Sequence, residues 1–192
     1  MERKSNARLL VLLTFIAVVI GLRMVAPLSS DFSMLANFTG IGAVAIFSGS
    51  YFRNKFAAYL LPMLVLLLSD LGLAVVMGKS WAFYTGWYYT YIAFALMVLV
   101  GQFLAKKVTV ANVFAASLVG VFIHWIISDF GVWYGSTFYP QTLAGFWACL
   151  VAAVPFELKF LYGTLIYGVI MFVGFEALKA KFPSLKYSSA IA

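Results

Sequence analysis

Few residues in this chain could carry chemistry, and most of them lie within predicted helices. His124 is the only histidine, Ser128 lies one helical turn further on, and Asp129 follows it. A hydroxyl near an imidazole and a carboxylate can act as a hydrolytic nucleophile. Here the three residues are neighbours on one helix, and no loop with the pattern of an oxyanion hole accompanies them. We therefore expect no enzymatic activity and no catalytic residue.

The sequence also offers little for a metal or a bound cofactor. Cys149 is the only cysteine, which excludes a disulfide within the chain and a CxxC pair. One histidine, one cysteine and scattered carboxylates do not have the spacing of metal ligands. No GxxxxGK[ST] loop is present, so the chain cannot hydrolyse ATP by the P-loop route. Cys149 is expected to be a small buried side chain, with a ligand contact as the alternative.

The composition is that of a membrane protein. Of 192 residues, 65% are hydrophobic and 10% are charged, against about 25% charged in soluble domains. We expect a single integral-membrane domain over residues 1–192, in contact with the lipid bilayer. The net charge of +7 comes from basic residues spread along the chain, which more often set membrane topology than bind nucleic acid. No nucleic-acid partner is expected.

Six membrane spans are predicted, at about 9–27, 37–52, 56–77, 88–105, 110–128 and 160–178. The expected fold class is therefore an all-α bundle of six transmembrane helices. Of the 13 lysines and arginines, all but Arg23, Lys79 and Lys159 fall on one side of these spans. The positive-inside rule then places both termini in the cytoplasm.

The polar residues inside the spans lie at similar depth. At about 1.5 Å per residue, Asp70 lies roughly 20 Å and His124 roughly 22 Å from the cytoplasmic ends of their helices. Asn37, Asp129 and Glu157 lie at the outer ends of theirs. Buried ionisable groups tend to pair with each other or line a substrate path. We expect a ligand pocket open to the outside and closed below. The alternative is that Arg23 pairs with Asp70 or Asp129 only to hold helices together.

Residues 129–156 join the fifth and sixth spans and contain no lysine or arginine. The apolar run 143–156 is too short to cross a membrane, which takes about 20 residues. We therefore predict a short extra helix between the fifth and sixth spans, in a re-entrant segment that forms a lid over the pocket. In this hypothesis Trp133 and Tyr139 contact the ligand, and Pro155 precedes the last span.

Two other clusters each have two interpretations. Positions 81–91 are rich in aromatic residues, which either form an interfacial belt or line a pocket. The second span contains Gly40, Gly42 and Gly49, and small residues let helices approach closely. These glycines either pack within the bundle or form a face that docks on another membrane subunit.

Several segments together resemble a known family. They are NFTGIGAVAIFSGSYF at 37–52, PMLVLLLSD ending at residue 70, YTGWYYTYIAF at 84–94 and SDFGVWYGSTFYPQTLAGFWACLVAAVPFE at 128–157. They resemble a bacterial family of uncharacterised integral-membrane proteins, itself similar to the substrate-binding S components of energy-coupling factor (ECF) transporters. The resemblance covers most of residues 37–170 and implies a location in the bacterial inner membrane.

The resemblance implies that the bundle captures a small vitamin-like molecule or a metal from outside. Delivery would then use an ECF-type membrane coupling subunit and ATPases. Gly40 stands where the family has a proline, and the docking motif of S components is only approximated by Ala17 and Gly21. A solitary transporter is therefore an alternative, as is an accessory or assembly subunit that docks on a larger complex. A corrinoid is one candidate substrate, with His124 or Cys149 able to ligate cobalt.

Overall fold

The computed structural model describes residues 7, 9–14, 16–18, 21, 39–105 and 107–186, and its regular structure there is entirely helical. Six α-helices follow one another: α1 Ile41–Tyr51, α2 Lys55–Met77, α3 Lys79–Ala82, α4 Trp87–Leu104, α5 Val110–Trp133 and α6 Leu143–Lys181. A 3-10 turn, Pro183–Leu185, follows α6. Residues 9–14 and 16–18 are also helical. The predicted all-α class is confirmed.

Four helical segments are long and apolar enough to cross a membrane: Lys55–Val75, Trp87–Leu104, Val110–Trp133 and Leu143–Lys181. They correspond to the third to sixth predicted spans. Much of the first predicted span, 9–27, lies outside the described residues, and Arg23 is among those missing from the description. In place of the second predicted span, 37–52, α1 has only 11 residues. At about 1.5 Å per residue it is roughly 16 Å long, too short to cross a bilayer.

The short helix α1 lies in the middle of the bundle. Every residue of α1 except Ser50 is buried, and the helix packs against α2, α4, α5 and α6. A helix surrounded by protein need not reach across the bilayer, because its ends can be satisfied by neighbouring helices. Its length is therefore consistent with a core element.

Glycines bring α1 and α4 into backbone contact. A Cβ atom added to Gly49 would lie 2.1 Å from the Val98 carbonyl oxygen, and one added to Gly101 would lie 2.3 Å from the Ile46 carbonyl oxygen. Neither position can hold a larger residue without moving a helix. The prediction that the glycines pack within the bundle is confirmed. The alternative, a docking face on this span, is wrong because the face is already covered.

The predicted short extra helix between the fifth and sixth spans is wrong. Residues 143–156 are the first part of α6, a single helix of 39 residues. It begins where the Thr142 side chain accepts a hydrogen bond from the Gly145 amide, as N-cap residues do. Pro155 lies inside α6 and does not end it. Proline removes one backbone hydrogen bond, and membrane helices tolerate that loss.

The two ends of the bundle differ. At one end α1, α4 and α6 finish and α2 and α5 begin, and an aromatic cluster fills the space between α1 and α6 there. The Phe47 ring lies 5.2 Å from Phe172, and Tyr51 lies 4.7 Å from Phe175. The Tyr51 hydroxyl donates to Glu176. We call this the closed end, and the opposite end, which contains the predicted pocket residues, the cavity end.

Candidate ligand-binding cavity

A cavity of about 290 Å³ lies in the cavity-end half of the bundle. All six helices contribute to its wall, together with Thr39, before α1, and Tyr84, between α3 and α4. Its lining consists of Thr39, Ile41, Leu66, Asp70, Leu73, Ala82, Tyr84, Trp87, Thr90, Tyr91, Phe94, His124, Ser128, Phe156, Glu157 and Phe160. Two of the predicted ligand-binding residues, Asp70 and His124, are among them.

His124 on α5 is paired with Glu157 on α6. The imidazole Nδ1 lies 3.1 Å and 3.2 Å from the two carboxylate oxygens. Both side chains are about one-seventh exposed. The ring is also enclosed by Phe94 and Phe160, with centroid distances of 5.1 Å and 4.5 Å. The pair therefore forms an ionisable part of the cavity wall, next to aromatic rings.

Asp70 on α2 forms a second polar wall. Its side chain is buried, and its carboxylate accepts a hydrogen bond of 2.9 Å from the Tyr91 hydroxyl. Tyr91 lies on α4, one helical turn after Trp87. Because a buried carboxylate is costly unless hydrogen bonded, this contact fixes both side chains at the cavity surface.

Tyr84 lines the cavity just before the start of α4. Its hydroxyl lies 2.7 Å from the Thr90 hydroxyl. Burial raises the pKa of Tyr84, the hydrogen bond with Thr90 offsets part of that rise, and the carboxylates of Asp129 and Asp70 raise it further. The phenol is therefore protonated at neutral pH and is a neutral hydrogen-bonding group.

Two glycines set the position of the segment that carries Tyr84. Gly86 has a φ of 89°, and a Cβ atom added to it would lie 2.2 Å from the Gly131 carbonyl oxygen. A Cβ on Gly131 would in turn lie 2.7 Å from the Gly86 oxygen. The start of α4 therefore touches the last turn of α5, backbone to backbone, beside the cavity.

Asp129, also predicted to bind ligand, lies behind the cavity wall. It is buried, and its Oδ2 atom has no hydrogen-bond partner among the described residues. Its backbone carbonyl accepts a long contact of 3.7 Å from the Cys149 thiol. Its neighbour Ser128 does reach the cavity. Asp129 therefore places a buried carboxyl group near the cavity without lining it, and Cys149 is the small buried side chain expected.

The structure does not place Trp133 or Tyr139 on the cavity. The Trp133 indole donates to the Pro140 carbonyl at 2.9 Å. Gln141 Nε2 contacts the carbonyls of Trp133, Ser136 and Tyr139 at 2.8–3.2 Å, so the connection between α5 and α6 is folded on itself. Within 129–156, Phe156 alone lines the cavity. The expected lid over the cavity is not formed by this segment, and Asn37 lies outside the described residues.

Tyr84, two aromatic residues of α4 and Glu157 belong to the cavity although none was among the predicted ligand-binding residues. Tyr84, Trp87 and Tyr91 line it, whereas Tyr88 points away and is half exposed. The pocket-lining interpretation of the aromatic cluster at 81–91 is therefore confirmed for Tyr84, Trp87 and Tyr91. The spacing of four residues between Trp87 and Tyr91, which places both side chains on one face of α4, was the available signal for these two. Tyr84 lies in the connection before the helix. The signal for Glu157 was its position at the outer end of the last predicted span, and its pairing with His124 was not predicted.

The described lining residues include no lysine or arginine. No group of three or more histidine, cysteine or acidic side chains in the described part of the chain is arranged to hold a metal ion. The cavity is therefore bounded by carboxylates, hydroxyls, one imidazole and aromatic rings. Such a lining suits a small organic molecule.

A family model described as a family of unknown function, DUF6580, matches residues 3–185. The match covers nearly the whole chain, and the chain belongs to this family. No curated protein and no solved structure matches it significantly.

Proposed function

We propose that this member of DUF6580 is a membrane transport protein that binds a small vitamin-like molecule in the cavity. It would act like the S component of an ECF transporter, which its sequence resembles. Family membership by itself supplies no activity, since the family has no known function. The proposal therefore depends on the cavity and on the distribution of polar residues around it.

The single observation that carries the proposal is that polar side chains from three helices meet in one cavity of a membrane bundle. Asp70, His124 and Glu157 come from α2, α5 and α6 and line the same space. Ionisable groups at membrane depth are costly and commonly mark a substrate path. Simple helix-to-helix pairing would account for His124 with Glu157, but it would not require an open space beside them.

The closed end supports a binding protein over a channel. Phe47, Phe175 and Met171 are fully buried there, and a conducting path would need polar residues through the full depth. By the positive-inside rule, Lys55, Lys107 and Lys179, near the closed end, would lie on the cytoplasmic side. The cavity would then open to the outside of a bacterial inner membrane, with both termini in the cytoplasm.

The proposed ligand is smaller than a corrinoid. A volume of about 290 Å³ is at the small end of ligand pockets, which span roughly 300–1,000 Å³. A corrin macrocycle is much bulkier. Cys149 does not line the cavity, so His124 would be the one cobalt ligand of the two considered. Energy for release would come from other chains, a coupling subunit with ATPases, because this chain has no P-loop.

Ligand-dependent stabilisation of the purified protein tests the proposal. A bound ligand raises the melting temperature by mass action, so a vitamin panel should contain at least one compound that does so. Asp70→Ala and His124→Ala should weaken that effect more than Gln102→Ala, because Gln102 is not among the residues lining the cavity. Absence of any shift across the panel, or equal effects of all three variants, would contradict the proposal.

The accessory-subunit alternative receives no support from the glycine-rich helix, which is buried. Co-purification from native membranes distinguishes the transporter hypothesis from the accessory-subunit hypothesis. An ATPase pair with a membrane coupling subunit agrees with the transporter. A stable complex that contains no ATPase agrees with an assembly role.

A further inference from the structure

The cavity combines aromatic walls with acidic groups, and this combination selects for charge. We infer that its ligand is a small organic cation, such as an ammonium compound or a positively charged ring. This inference rests on the proposed function, because it specifies the substrate class of the same site.

Glu157 places a carboxylate on the cavity wall. Its two carboxylate oxygens share a single described partner, the Nδ1 atom of His124. Asp70 and Glu157 both line the cavity, so its acidic side chains outnumber its one imidazole. The described lining has no lysine or arginine to balance these acidic groups. A cation in the cavity would offset this charge, whereas an anion would add to the repulsion.

Asp129 is a further acidic group, which lies behind the cavity wall. Its Oδ2 atom is buried and has no hydrogen-bond partner among the described residues. Its carboxylate acts electrostatically on Tyr84, which lines the cavity. Buried polar atoms are nearly always satisfied in folded proteins. This unsatisfied acidic group, one residue after the lining residue Ser128, favours a positive ligand over a negative one.

The aromatic wall places four rings beside the cavity. The rings of Trp87 and Tyr91 meet edge to face at 5.0 Å, and those of Phe94 and Phe160 do so at 5.9 Å. All four line the cavity. Organic cations are attracted to ring faces within about 6 Å of the centroid, and tryptophan is the strongest partner. The same ring faces offer a neutral ligand packing contacts but no comparable electrostatic attraction.

A metal ion fits the lining less well than an organic cation. No suitable group of three metal-ligating side chains exists among the described residues. Bare metal ions also gain more from oxygen and nitrogen ligands than from aromatic rings. The volume of about 290 Å³ far exceeds what one ion needs.

The test uses matched probes that differ in charge and little in shape. Choline, 3,3-dimethylbutan-1-ol and 3,3-dimethylbutanoate carry positive, neutral and negative charge on similar frameworks. Benzylammonium, benzyl alcohol and benzoate form a second series with a ring. Binding of each probe to the purified, detergent-solubilised full chain is measured by calorimetry. We expect the cation of at least one series to bind ten or more times more tightly than its neutral and anionic partners.

Glu157→Gln should remove most of that preference, while Glu157→Asp should keep part of it. Glu176→Gln is the control, because Glu176 lies at the closed end and is held by Tyr51 and Lys179. If Glu157→Gln does not fold, the charge series on the unmodified protein still decides the question.

The outcomes separate this inference from the proposed function. Equal or tighter binding of a neutral or anionic probe, or of a neutral or anionic vitamin from the panel, overturns the inference and leaves a ligand-binding cavity. No binding by any probe or vitamin overturns the proposed function, and the inference with it.

Discussion

The imidazole Nδ1 of His124 lies 3.1 Å from the nearer carboxylate oxygen of Glu157, across the interface between α5 and α6. This contact joins two helices whose paired residues are 33 positions apart in the chain. It also places an ionisable pair on the surface of the cavity, next to the ring of Phe160. The same side-chain contact therefore lines the cavity and joins α5 to α6. Variants at this pair should be tested for folding and for binding separately.

A double-mutant cycle should show that His124 and Glu157 are coupled. His124→Ala leaves a mostly buried carboxylate without its donor, which should cost about 1.5–3 kcal/mol of stability. Adding Glu157→Ala should then cost less than it does alone, with an interaction of about 0.5–3 kcal/mol. Reversible unfolding in mixed detergent micelles measures this. The control is Glu176→Ala, far along the same helix, whose effect on the free energy of unfolding should add to that of His124→Ala. If the effects of Glu157→Ala and His124→Ala also simply added, the contact between them would contribute nothing to stability.

Trp87→Leu should weaken ligand binding, whereas Tyr88→Leu should not. Trp87 lines the cavity, while the adjacent Tyr88 is exposed and does not. Loss of one cation–π contact is worth about 0.5–2 kcal/mol, or roughly 2- to 30-fold in the dissociation constant of choline. The neutral isostere 3,3-dimethylbutan-1-ol should lose less. Equal effects at both positions would favour the interfacial-belt interpretation of the whole cluster.

Gly49→Ala should destabilise the bundle, whereas Gly168→Ala should be neutral or stabilising. The added methyl group at position 49 would lie 2.1 Å from a backbone oxygen of α4, while at position 168 it meets nothing within 4 Å. Both positions are helical, and alanine is favoured over glycine in a helix by about 1 kcal/mol. Thermal unfolding of the monodisperse protein measures the difference. Equal stability of the two variants would contradict close packing between α1 and α4.

Features that follow from depth and residue size were predictable from the sequence. Asp70 and His124 were placed at similar depth by counting helical rise, and they line one cavity. The close spacing of Gly42 and Gly49 indicated helix packing, and α1 is buried. The four long apolar helices agree with the third to sixth predicted spans. These inferences needed only one helix at a time.

Features that depend on contacts between helices were not predictable. Pro155 indicated a helix boundary, yet α6 continues through it because the surrounding residues keep their helical hydrogen bonds. Once 143–156 belonged to a long helix, the lid hypothesis lost its basis. Glu157 was recognised as a polar residue at membrane depth, but its role at the cavity required its partner His124. The contact between Gly86 and Gly131, which positions Tyr84, had no signal in the local sequence.

Trp133→Phe tests directly whether the α5–α6 connection takes part in binding. The indole of Trp133 donates to Pro140 and its ring packs on Phe130 and Phe146. Phenylalanine keeps the ring contacts and loses the hydrogen bond, so stability should fall by about 0.5–1.5 kcal/mol. Because the side chain does not line the cavity, the choline dissociation constant should stay within about twofold of the parent value.

Tyr139→Phe should likewise leave binding unchanged, since Tyr139 is also absent from the cavity lining. Glu157→Gln, measured in parallel by the same calorimetry, shows the size of effect expected for a residue that does line it. If Trp133→Phe or Tyr139→Phe weakened choline binding as much as Glu157→Gln, the connection would have to fold over the cavity when ligand binds. That result would restore the lid hypothesis for the bound state, because a contact absent from the free protein must then form with the ligand in place.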